Sequence, residues 1–369
     1  MEVKLTDTLL SGEKMPPLSR PSAHLRISAY VIAFSSFLWG YAFTVLNVCI
    51  AENAKGSILL DFNLTDAEIE LASSLVLIGA WFTAVATASL VDTYGRRRAL
   101  LANNVLFIVG ALLCALATTK DTIYIGRTII GFACGIVTNV TPILLAEIAP
   151  TQIRGQITTL HQLMLTIGIL GSSLLGYALV TSVPSGWRYV NAFVAVPAIL
   201  QCMLMPCIPE SPRWLLSRNR TNDVRPAPVT IRNRTWLACV SWRFLVSVAE
   251  SVAGRMTGIN TVMLYSSKIF HFAGVDNSVM ATASVGTINV LATVVSVVLV
   301  DTCGRKILLL LSSGMMAASL GVLSYSLLTL CGRIQGILAV VCVLVFVAGF
   351  AIGLGAVIWY CLQRICSFL

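Results

Sequence analysis

The chain has 369 residues, of which 57% are hydrophobic and only 11% charged, against roughly 45–50% apolar and about 25% charged in an ordinary soluble domain. This balance excludes a water-soluble globular protein, and with no stretch longer than a loop that combines low hydrophobicity with high charge it also excludes a largely disordered one. The net charge of +9 is sorted among short loops between apolar runs and not gathered on one tail, which excludes nucleic acid as its partner.

A membrane-crossing helix takes about 20 largely apolar residues. Cut at their polar punctuation, the apolar runs predict ten spans, at 28–50, 69–91, 98–118, 122–146, 156–180, 189–209, 236–267, 278–300, 306–331 and 335–362. Val, Ile and Thr are frequent, yet runs of this length without period-two alternation read as helices and not as barrel strands. The first 27 residues are polar, carry Pro16, Pro17 and Pro21, and show no short apolar run with a small-residue cleavage site. They predict a cytoplasmic tail and no cleavable signal peptide.

With the N-terminus placed in the cytoplasm, the inner segments hold 17 Lys and Arg and the outer segments 5, namely Lys55, Lys120, Arg188, Lys268 and Arg333. This asymmetry fixes the orientation, and an even number of spans returns the C-terminus to the cytoplasm. Arg127, Arg243 and Arg255 fall inside spans. The sequon Asn63-Leu64-Thr65 lies on the outer side, so Asn63 is a glycosylation candidate. The sequons at Asn219 and Asn233 lie on the inner loop and should stay bare. Eleven cysteines are scattered singly with no CxxC spacing, and the three histidines stand apart at 24, 161 and 271. Neither a metal site, a disulfide framework nor a cofactor is expected.

The chain repeats itself weakly. Residues 92–97 read DTYGRR and residues 301–306 read DTCGRK, 209 positions apart, each at the inner end of an apolar span. The same offset carries the start of the first span to residue 237, where the seventh begins. Two six-helix halves in parallel repeat are the architecture of the major facilitator superfamily, with substrate at the midplane between them. The predicted fold is therefore an all-α polytopic membrane protein of that architecture. Its expected parts are a tail at 1–27, a six-helix bundle at 28–209, a basic linker at 210–235 and an incomplete four-helix bundle at 236–369. By the same offset, the second half stops about two helices short of the first.

Seven strings then stand in order: DTYGRRR from Asp92, GRTIIGFACG from Gly126, PILLAEIAPTQIRG from Pro142, TLHQL from Thr159, PESPRWL from Pro209, TGIN from Thr257 and DTCGRK from Asp301. On these strings the chain resembles the sugar porter family, facilitative hexose transporters in particular. PESPR is the most specific of them; GRxxxG alone also simply packs helices. The resemblance implies a charge network at the inner gate, made of Asp92, Arg96, Arg97, Glu147, Arg154, Glu210 and Arg213, with Asp301 and Arg305 as the second-half counterparts. A set of exposed pairs, each worth roughly 0–1 kcal/mol, suffices to bias two states a few kcal/mol apart. It also implies a sugar site in which Gln162, Asn260 and Asn289 bond hydroxyls, Ile169 supplies an apolar wall and Trp359 stacks on the sugar. The partners so implied are a neutral monosaccharide or polyol and the lipid bilayer, with no obligate protein partner and no covalent chemistry, hence no enzyme.

The departures are as specific as the matches. Gly254 and Arg255 stand where the family has a pair of glutamines, and GLGAVIW from Gly353 replaces its proline-rich hinge before the tryptophan. Glu250 and Arg255 lie within an apolar run, where an unpaired charge costs about 2.5–3.5 kcal/mol on insertion scales. Proton-driven porters resemble one another in a Gly-Tyr-Asp string in the first span; this chain has Gly40-Tyr41-Ala42, which favours facilitated diffusion over symport. Two readings follow: a hexose uniporter of the plasma membrane, or a shortened, non-transporting membrane protein such as a sugar sensor.

Overall fold

The computed structural model describes residues 23–51, 54–150, 154–218, 257–272, 278–302, 305–329 and 333–355. Among them there is no strand. The helices are α1 (Ala23–Cys49), α2 (Ile58–Phe62), α3 (Asp66–Tyr94), α4 (Arg96–Ala115), α5 (Lys120–Ile148), α6 (Arg154–Ser182), α7 (Gly186–Ala192), α8 (Ala195–Leu204), α9 (Pro212–Ser217), α10 (Ile259–Phe272), α11 (Ser278–Thr302), α12 (Arg305–Thr329) and α13 (Arg333–Ile352).

Eight helical stretches among the described residues are long and apolar enough to cross a membrane. α11 adds 25 residues whose apolar run is Met280–Ser296. The predicted first five spans fall on α1, α3, α4, α5 and α6. The sixth is divided into α7 and α8, and Pro197 explains the division: it has no N–H for the carbonyl of Phe193, which takes the N–H of Val196 at 3.1 Å instead. Of the seventh span only α10 is described, and Glu250, Gly254 and Arg255 lie outside the described residues, as does the tenth span beyond residue 355.

Local chemistry sets the helix ends. Thr65 caps α3 in a reciprocal capping box with Glu68, and the preceding Asn63 ends α2 in the left-handed region at φ 44°. Gly95 joins α3 to α4 at φ 92°, a conformation that a side chain resists. A Cβ there would also lie 2.8 Å from a carboxylate oxygen of Glu210.

Lipid is as apolar as Leu, so close backbone approach does much of the packing. A Cβ on Gly40 of α1 would sit 2.0 Å from the carbonyl oxygen of Leu165 on α6, and one on Gly168 would sit 2.2 Å from that of Phe37. The glycines of GRTIIGFACG serve the same purpose: Gly126 meets Cys114 of α4, while Gly131 and Gly135 meet Val76 and Ala80 of α3. Their outward neighbours include Trp81, Phe82 and Val85, well exposed as lipid-facing residues of an integral, multi-pass membrane protein are.

Two apolar clusters fill the N-terminal half, one around Val45, Phe107, Val137 and Trp187, the other around Ile32, Leu100, Val140 and Leu144. A third, around Met263, Val285, Phe346 and Val347, belongs to the second half but takes in Ile169 of α6. α6 packs on α11, and α1 on α10; these are the main seams between the halves.

Candidate substrate site and its two closures

Gln162 and Ile169 are two turns apart on α6, both buried at the seam. Gln162 reaches toward the far end of the second half: its Nε2 is 3.4 Å from where a Cβ on Gly355 would stand. Asn289 of α11 is buried, and among the described residues its Oδ1 has no hydrogen-bond partner. A buried amide oxygen left bare costs about 1–3 kcal/mol. Asn260 is half-buried at the start of α10, next to Ile259 of the third cluster. Trp359 lies outside the described residues.

Beside Ile169 the seam encloses a cavity of about 10 Å³ lined by Thr44, Asn47, Ser173, Met263, Ser266, Thr282, Val285 and Gly286. That is room for a single water. Its lining is rich in hydroxyls, and Thr44 and Ser172 bond to each other across α1 and α6 at 2.7 Å. Of the lining only Ile169 was readable as a site residue. Thr44, Asn47, Ser173, Ser266 and Thr282 stand in no motif; their one signal is that each is a polar residue inside an apolar run.

Toward the face that carries Asn63, α1 and α3 are tied to α10. Asn47 Nδ2 donates to the carbonyl oxygen of Met263 at 3.0 Å and to Ser266 Oγ at 2.8 Å, joining α1 to α10. Lys268 Nζ on α10 meets Asp66 Oδ1 at the start of α3, at 2.5 Å.

At the other face five of the nine charged residues named for the inner gate meet, at the end of the N-terminal half and the start of the linker. Arg96 pairs with Asp92 at 3.5 Å and with Glu147 at 3.3 Å. Glu210 accepts the backbone N–H of Arg97 with both oxygens, at 3.0 and 3.2 Å, so a carboxylate sits on the N-terminus of α4 where the helix dipole favours it. Arg97 Nη1 donates to the carbonyl of Ile208, and Trp214 Nε1 to that of Asp92. The side chains of Arg154, Arg213, Asp301 and Arg305 lie outside the described residues; Asp301 falls near the end of α11 and Arg305 begins α12.

Arg127 is fully buried in α5. Its Nη1 donates to the carbonyl of Ala42 at 3.0 Å and its Nε to that of Ala72 at 3.5 Å, while Nη2 has no partner among the described residues. The guanidinium thus rests against the backbone of the residue that replaces an aspartate in the Gly-Tyr-Asp string. His161, equally buried, takes Ser36 at 2.6 Å and packs against Trp39, and among the described residues no cluster of His, Cys, Asp and Glu could hold a metal ion.

The family described as "Sugar (and other) transporter" matches residues 28–235 and 226–367. The chain belongs to this family. The glucose transporter GlcP of Staphylococcus epidermidis is 32% identical over 361 residues, covering 90% of this chain and 79% of that one. The human facilitated glucose transporter member 14 of solute carrier family 2 is 31% identical, covering 91% and 73%. Among solved structures, the partially occluded inward open conformation of the xylose transporter XylE from E. coli superposes with a TM-score of 0.78 at 25% identity, covering 93% of this chain and 85% of that one. The fold is that of the major facilitator superfamily, to which XylE belongs. A sugar transporter family is a family of carriers, not of enzymes.

Proposed function

We propose that the protein moves a neutral hexose or related polyol across the plasma membrane by facilitated diffusion. In this reading a bundle at 28–209 and a second at 236–369, joined by the linker 210–235, rock about a site at their midplane. The observation that carries it is the seam of Gln162, Ile169 and Asn289: buried amides beside an apolar wall, with the Asn289 oxygen bare. A neutral hexose offers hydroxyls all round and weakly apolar faces, so amides and an apolar wall suit it while full charges do not. Asn260 and Trp359 complete the site. Asp92, Arg96, Arg97, Glu147, Arg154, Glu210, Arg213, Asp301 and Arg305 form the inner gate. The Asn63 face is then extracellular, both termini are cytoplasmic, and Asn63, exposed at the tip between α2 and α3, carries the glycan.

Uncoupled transport is supported by Arg127, whose hydrogen bonds go to backbone carbonyls of Ala42 and Ala72 and to no carboxylate. The solved relative XylE is described as a proton:xylose symporter, so relatives alone leave coupling open. The test is uptake of labelled glucose, fructose and myo-inositol into liposomes containing the chain. Saturable uptake that stops at equilibrium and ignores a protonophore is expected. Accumulation above equilibrium that a protonophore abolishes would overturn the uncoupled reading, and no uptake of any of the three would overturn transport itself.

A further inference from the structure

Five ion pairs occur among the described residues, and four of them lie inside the N-terminal half: Asp92–Arg96, Arg96–Glu147, Glu68–Lys120 and Asp61–Arg188. The fifth, Asp66–Lys268, joins the two halves. We propose that Asp66 and Lys268 form an electrostatic latch that holds the halves together on the Asn63 face and parts each time they separate there. The functional consequence rests on the transport reading above; the latch itself rests on the geometry.

Three observations converge on it. Asp66 is in the first turn of α3, where the helix dipole favours a carboxylate, and Lys268 is the fifth residue from the end of α10. The pair stands close to the cavity lining: Asn47 bonds Met263 and Ser266, five and two residues before Lys268 on the same helix, and all three line the cavity. The neighbouring charges do not compete: Glu68 is taken by Lys120 at 2.8 Å, and Asp61 faces Arg188 and accepts from Trp187 Nε1. The Lys268 side chain is 15% exposed and that of Asp66 81%. Most of the Lys268 side chain is thus sheltered while the carboxylate stands in solvent, where added salt screens the pair.

The experiment reads opening on the Asn63 face directly. Thr282→Cys places a reporter in the cavity beneath the latch, and its reaction with a membrane-impermeant maleimide in proteoliposomes is followed at position 282 by peptide mass, so that the native cysteines do not contribute. Lys268→Met and Asp66→Asn are each expected to speed labelling about two- to five-fold, the size of one largely exposed pair. Raised ionic strength should speed labelling of the parent and leave both variants unchanged, and the double reversal Asp66→Lys with Lys268→Asp should slow labelling below that of either single variant, toward the parent rate. Unchanged labelling in both single variants, or a double reversal as fast as either of them, overturns the latch. Labelling needs no sugar to move, so a chain that fails in uptake but shows this pattern refutes the transport reading alone.

Discussion

At the motif face, Asp92, Arg96, Glu147 and Glu210 tie α3, α4, α5 and the segment before α9 together, all within one half. At the Asn63 face, Asn47 and Asp66 reach from α1 and α3 to α10 of the other half. The difference separates two tasks that charged residues perform at a membrane surface. One makes a half rigid enough to move as a body; the other decides whether the two bodies touch. Rocking requires contacts between the halves to break on one face at a time, and in the state described those at the Asn63 face are made.

The comparison is broken most severely by removing the close approach that makes the first half a body. Gly40→Val places side-chain atoms where the Leu165 carbonyl already stands and should destabilise the protein by about 3 kcal/mol or more, at the upper end of overpacking effects. Thermal unfolding in detergent checks it; an unchanged melting temperature would mean that α1 and α6 do not pack as described. Next comes the seam itself. Gln162→Ala should weaken sugar binding by about five- to a hundred-fold, the loss of one buried hydrogen-bonding amide, whereas Cys114→Ala, in the core between α4 and α5, should leave affinity near that of the parent. Equal affinities of the two variants in a binding titration would remove Gln162 from the site. The smallest effect sharpens the contrast between the faces. Glu210→Gln keeps an acceptor but loses the charge at the start of α4, which should cost about 1 kcal/mol of stability. It should leave labelling beneath the Asn63-face closure unaltered, and faster labelling at position 282 would show that the two faces are not separate devices.

The motif face was legible in the sequence because its contacts are local in the fold and carried by distinctive strings. DTYGRRR puts Asp92 and Arg96 four positions apart across the turn between α3 and α4, and the Gly of that turn is demanded by φ 92°. Among the described residues span positions were equally legible, since length and apolarity fix them, except where Pro197 divides the sixth into α7 and α8; the start of the seventh and the end of the tenth lie outside those residues. The glycines of GRTIIGFACG read as packing residues, and they pack. The Asn63 face was not legible. Asn47 and Ser266 are 219 positions apart and Asp66 and Lys268 are 202 apart, and neither pair has a spacing that sequence alone converts into contact. Lys268 read only as one of five outer cations, and Asp66 drew no reading. Gln162, Ile169 and Asn289 were named from resemblance; the bare Asn289 oxygen and the hydroxyl-lined cavity beside Ile169 come from the fold alone.

The most direct test of the central claim, that the halves part at the Asn63 face in every cycle, is a reversible bridge across that face. Asn47→Cys with Ser266→Cys replaces a 2.8 Å hydrogen bond between α1 and α10 by a disulfide, and sugar uptake into proteoliposomes is measured oxidised and then reduced. Uptake that stops on oxidation and returns on reduction is the predicted result. Undiminished uptake with the bridge shown by mass to be formed would contradict it.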